Sequence, residues 1–119
     1  MDLIMGGAFQ GKLEYARKHF KIKASDVCEC QINKEPDFTK RCLYCYERYV
    51  LWCMRKGIEP QTSFEDDKII IMNDIFCGVV PIEPEARAWR EKSGRVMTAI
   101  AANANTVTRM FCGIPKRIK

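Results

Sequence analysis

The chain has 119 residues, seven cysteines and a formal charge of +5, which bounds it to one domain, residues 1–119, with a modest core. Apolar and charged fractions of 47% and 29% are ordinary for a soluble folded domain. No apolar run approaches the roughly 18 to 20 residues needed to span a bilayer, and the N-terminus lacks a signal-peptide pattern. The expectation is a cytoplasmic protein with no membrane span and with reduced thiols. Its positive residues are dispersed, apart from Lys18, His19, Lys21 and Lys23 and the tail Lys116, Arg117 and Lys119. That distribution suits a small anionic ligand and lacks the aromatic-and-basic pattern of a nucleic-acid surface.

Residues 2–5 read as a short buried strand, and 11–20 as a helix with Leu13, Ala16 and Phe20 on one side. Residues 21–38 are polar and irregular. A second helix is expected over 39–56, with Thr39 capping its start and Gly57 closing it. Lys68-Ile69-Ile70-Ile71-Met72 has the length and β-branching of a strand, and an unbroken apolar run favours a parallel sheet covered on both faces. A long helix follows from Pro84 to about Asn105, then a strand over 106–111 and a short one over 114–118 after the Gly113 turn. This order predicts an α/β sandwich with a sheet of three or four strands.

Between the first strand and first helix lies Gly6-Gly7-Ala8-Phe9-Gln10-Gly11-Lys12. A glycine-rich turn lets successive N–H groups converge on a phosphate, the helix start adds partial positive charge, and the lysine reaches the terminal phosphates. The pattern G-x-x-x-x-G-K-S/T ends in a hydroxyl that ligates magnesium, and here Leu13 takes that place. Glycine-rich strand-to-helix turns also serve tight packing. Asn73-Asp74 closes the second apolar strand; were the two strands neighbours, Asp74 would face the phosphates and could hold magnesium or orient an attacking hydroxyl. Polar residues at a strand end also serve simply to terminate it.

Cys28-x-Cys30 and Cys42-x-x-Cys45 raise the alternative of a four-thiolate zinc site in an interaction module. A redox pair lacks a thioredoxin-like setting, and Cys53, Cys77 and Cys112 complete the set. Free thiols remain the default.

From Asn73 onward the chain resembles the adenosylcobinamide kinase / adenosylcobinamide-phosphate guanylyltransferase family. Asn73-Asp74-Ile75-Phe76-Cys77-Gly78-Val79-Val80-Pro81 is similar to its "NE-V-G-x-G-I/V-VP" segment. Arg90, then Ser93-Gly94-Arg95-Val96, is similar to its helix motif, and Ala99, Ala101, Ala102 and Ala104 to the alanine-rich continuation. Val107, then Gly113-Ile114-Pro115-Lys116-Arg117-Ile118-Lys119, resembles its ending, and Gly6-Gly7-Ala8-x-x-Gly11-Lys12 its "GGA-R/K-SGKS" loop.

The resemblance implies a P-loop NTPase-like three-layer sandwich with a small, mainly parallel sheet. It further implies an ATP- or GTP-dependent phosphotransferase of cobalamin synthesis or salvage, acting on a corrinoid with Mg²⁺ and forming a homo-oligomer. Gly6, Gly7, Ala8, Phe9, Gln10, Gly11, Lys12 and Leu13 would form the nucleotide loop, with Lys12 and Asp74 catalytic and Asp74 also the metal ligand. The family's guanylylated histidine and a Walker-B-like strand belong to a portion expected to be missing between the first helix and Lys68. The sole histidine, His19, reads as a surface residue, so guanylyl transfer is not expected. A non-catalytic nucleotide- or corrinoid-binding protein on the same fold is the competing reading.

Overall fold

The computed structural model describes residues 1–75 and 80–119. In chain order come β1 (Asp2–Gly6), α1 (Lys12–Phe20), a short 3-10 turn (Ala24–Asp26), β2 (Val27–Glu29), β3 (Cys42–Tyr44) and α2 (Tyr46–Lys56). After these follow β4 (Ile69–Asn73), α3 (Pro84–Asn103), β5 (Thr106–Phe111) and β6 (Ile114–Arg117). The sheet order is β2-β3-β4-β1-β5-β6. Its first five strands are parallel, and β6 returns antiparallel to β5.

Side-chain alternation divides the core into two layers. Leu3, Leu43, Ile70, Met72 and Val107 pack toward the side of α2 and α3, where Tyr46, Val50, Val96, Met97 and Ile100 meet them. Ile4, Cys42, Ile69, Ile71 and Met110 pack on the opposite side with Ala16 of α1. Ile69, Ile70, Ile71 and Met72 are each fully buried, because β4 is central and both its faces are covered. Each such side chain contributes roughly 1.5–3 kcal/mol of transfer free energy.

The helices end where local chemistry stops them. Gly57, at φ 69°, closes α2, and the N–H groups of Gly57 and Ile58 return to the carbonyls of Met54 and Cys53, a left-handed C-terminal motif. Pro84 opens α3, where its missing N–H costs nothing.

Several expectations change. The sheet has six strands rather than three or four. The stretch 39–56 is not one helix: Cys42–Tyr44 is a strand, Cys45 turns the chain at φ 60°, and the helix begins at Tyr46. A three-residue apolar run carries too few periods to separate strand from helix; here Cys42, Leu43 and Tyr44 are claimed by pairing with Ile69, Ile70 and Ile71. Thr39 caps nothing; its N–H and hydroxyl both donate to the Asp37 carboxylate. The irregular stretch 21–38 holds β2 as well. The region expected to lack a second strand thus supplies β3 beside β4.

Tyr46 is fully buried and donates its hydroxyl to the Gln61 carbonyl at 2.7 Å. Tyr46→Phe should cost about 1–2 kcal/mol of unfolding free energy, the loss of one buried hydrogen bond. Urea titration checks it: an unchanged midpoint would show that this bond does not hold the 58–64 segment.

Candidate functional site

The C-terminal edge of a parallel sheet is where such folds bind ligands, and three strand tips meet there. Gly6 stands level with Asn73 on one side and Met110 on the other. The Asp74 N–H donates to the Gly6 carbonyl at 2.8 Å. The two strands singled out in the sequence are therefore direct neighbours.

The glycine loop leaves β1 at this edge. Gly6 has φ 153°, and a Cβ on it would lie 2.5 Å from the Met110 carbonyl oxygen, so β1 could not sit this close to β5 with any larger residue. Gly11, at φ 84°, turns the chain into α1, whose start has no side-chain cap. The first N–H groups of an α-helix have no intrahelical acceptor, so α1 offers donors and partial positive charge to an anion.

Lys12 is buried beneath the loop and donates its ammonium to the Gly7 carbonyl. Burial holds its pKa below the ordinary lysine value, while Glu47, Cys45 and Asp74 oppose that shift. Gln10 fastens the loop from the other side: its side-chain oxygen accepts from the Cys112 N–H, and its carbonyl accepts from the Gly113 N–H.

An open cleft of about 670 Å³ runs along the loop. It is lined by Ala8, Phe9, Gln10, Gly11, Lys12 and Leu13 of the loop and by Tyr44, Cys45, Arg48 and Asn73 at the ends of β3, α2 and β4. At this tip Asn73, rather than Asp74, lines the cleft. Phe9 is fully exposed at φ 60°, a strained setting for a bulky residue.

Sequence reasoning missed Glu47. It sits in the first turn of α2, where a charge normally faces solvent, yet it is 3% exposed. Its carboxylate accepts from the backbone N–H of Asn73 at 2.8 Å and from the Asn73 side chain at 2.9 Å. Glu47 thus fixes the tip of β4 and supplies the strongest opposing charge at Lys12.

The remaining candidates scatter. His19 is exposed in the last turn of α1, stacked on Tyr15 and edge-on to Phe20, away from the cleft-lining residues. The cysteine pairs divide across the sheet: Cys42 belongs to the core beneath α1, Cys28 and Cys30 to the core on the other side. Among the described residues no three potential metal ligands gather, and burial pushes the thiols of Cys42 and Cys45 up to about 12 and about 11. Phe76, Cys77, Gly78 and Val79, which carry part of the family resemblance, lie outside the described residues. Arg95 pairs with Glu91 along α3.

A magnesium ion wants oxygen ligands, and the donor set fits a protein-anchored one poorly. Leu13 offers no oxygen, Cys45 at the tip of β3 is a protonated thiol, and both Glu47 oxygens are engaged by Asn73. Glu14 is the carboxylate that lines the cleft, and Asp74 follows the tip of β4 outside the cleft-lining residues.

The parallel sheet, its flanking helices and the glycine turn after β1 define a P-loop NTPase-like α/β protein. The pattern of the family described as cobinamide kinase / cobinamide phosphate guanyltransferase matches residues 37–118. The chain belongs to that family, whose nucleotide-dependent chemistry serves cobalamin synthesis and salvage. The match begins after the glycine loop, and it takes in β3 and α2, part of the stretch expected to be missing. No curated protein matches the chain. Among the described residues, no helix is long and apolar enough to cross a membrane.

Proposed function

We propose that this protein binds ATP or GTP with the triphosphate on the loop from Gly6 to Leu13, and transfers the γ-phosphoryl group to a corrinoid hydroxyl such as that of cobinamide. The observation that carries this is the uncapped α1 start with buried Lys12 at the parallel sheet's C-terminal edge, in a member of a cobinamide kinase family. Gly6 and Gly7 shape the turn, the N–H groups of residues 8–13 face the phosphates, and Lys12 leaves the Gly7 carbonyl for the terminal phosphate. The acceptor oxygen forms a bond to the γ-phosphorus as the bond to the β–γ bridging oxygen breaks. The hydroxyl proton passes to Asp74, which follows the tip of β4 with its N–H on the Gly6 carbonyl at the base of the loop, and the nucleoside diphosphate leaves. Such transfer rests on positioning and charge and requires no covalent protein intermediate.

Guanylyl transfer is not part of this reading, because the only histidine is His19, outside the cleft. Asp74 is the residue to which a magnesium carried on the phosphates would attach. The proposed setting is the cytosol. Self-association is proposed through the α3 side, where Met5, Met97 and Ala101 line an open groove together with the exposed Val80. A second reading, a non-catalytic nucleotide- or corrinoid-binding protein, is favoured by Leu13.

The test is incubation with adenosylcobinamide, magnesium and γ-labelled ATP or GTP, with Lys12→Ala as control. Label in the corrinoid, lost in Lys12→Ala, is expected. Nucleotide binding without transfer would select the second reading, and failure to bind either nucleotide or the corrinoid would eliminate both.

A further inference from the structure

Leu13 removes the hydroxyl of the magnesium-binding pattern, but its place on α1 is not left without charge. Arg17 follows it by four residues, one turn along the same helix face, and lines the same cleft. Arg48 reaches the cleft from the first turn of α2. Its guanidinium is 3.5 Å from Glu29 and 3.5 Å from the Cys30 carbonyl, contacts long enough to anchor the side chain without saturating its five donors. With Lys12, three cations line the cleft against one carboxylate, Glu14.

We infer that Arg17 and Arg48 meet the triphosphate charge that a protein-anchored magnesium ion would otherwise neutralise, so that the site binds the nucleotide whether or not it carries magnesium. The inference rests on the nucleotide reading of the loop. Guanidinium is the suitable replacement: it is permanently charged and its planar fork matches two phosphate oxygens at once. The two arginines come from different elements, Arg17 from α1 and Arg48 from α2, which lets them meet different phosphates of one chain. What the site lacks in oxygen donors it holds in cations, and an arginine-lined cleft gains from the full negative charge of a nucleotide without bound metal.

Isothermal titration of the whole protein with ATP and with GTP, in magnesium and again in EDTA, tests this. The expected Kd differs by less than about tenfold between the two conditions. Arg17→Ala and Arg48→Ala should each weaken binding by roughly tenfold or more in EDTA, the worth of a charge-assisted hydrogen bond, and Arg48→Lys should recover only part of the loss. Arg17 is exposed, so its variant separates ligand binding from folding even where Arg48→Ala disturbs α2. Binding that is lost in EDTA and indifferent to Arg17→Ala would overturn this inference and leave the nucleotide reading intact. Absence of binding by the unaltered protein in both conditions would overturn the nucleotide reading and this inference with it.

Discussion

Gly6→Ala should destabilise the protein by about 2–6 kcal/mol, the sum of a strained backbone and an overpacked contact. The new Cβ would stand 2.5 Å from the Met110 carbonyl oxygen. Backbone cannot swing away as a side-chain tip would, so β1 and β5 must part. Since β1 lies between β4 and β5, the parting opens the middle of the sheet. A domain of this size holds on the order of 5–15 kcal/mol in total, so a marginal variant would be partly unfolded at rest. Gly7→Ala is the contrast: its nearest neighbour would be the Gln10 Cγ at 3.7 Å, an ordinary contact, and its stability should stay within about 1 kcal/mol of the parent. Equal urea midpoints for the two variants would refute the close approach at Gly6.

Glu47→Ala should cost about 3–5 kcal/mol, the usual penalty for breaking a buried charged network by removing one member. Two Asn73 donors lose their acceptor and Lys12 loses its strongest opposing charge. Glu47→Gln keeps the shape and should be milder in stability but diagnostic in pH dependence. Burial already holds the Lys12 pKa below 10.5, and Glu47 counteracts that shift. Without the carboxylate the pKa falls further, Lys12 loses its proton at lower pH, and the alkaline limb of nucleotide binding moves toward neutrality. Stability responds with the opposite slope. Between the folded Lys12 pKa and 10.5 the unfolded chain holds the proton that the native state releases, so Lys12's contribution to stability rises with pH across that window, and the window widens in Glu47→Gln. An alkaline limb identical to the parent's would show that Glu47 does not govern Lys12.

Long, strongly patterned elements were legible in the sequence. The run from Ile69 to Met72 favoured a doubly covered strand, Pro84 marked the start of α3 and Gly57 the end of α2. β2 and β3 were not legible, because Val27–Glu29 and Cys42–Tyr44 are too short for a period and owe their conformation to pairing with neighbours. The turn between β3 and α2 left no mark either, since Cys45 takes a positive φ that a glycine would have announced. At the site, the glycine loop and Asn73-Asp74 could be read, but only the pairing of β1 with β4 puts them side by side. Glu47 could not, because a charge in a first helical turn looks like a solvated one until β4 is packed against it.

The tie between Gln10 and the Cys112–Gly113 turn bears on how the protein comes into being. The loop is made about a hundred positions before its support from β5 and the hairpin. Met1 is held in the same way, its carbonyl accepting from Asn105. A nascent chain therefore carries the complete glycine motif long before it carries the partners that give the motif its shape. On the proposed nucleotide reading, capture awaits β5 and the hairpin, so emerging chains would not compete with finished ones for nucleotide.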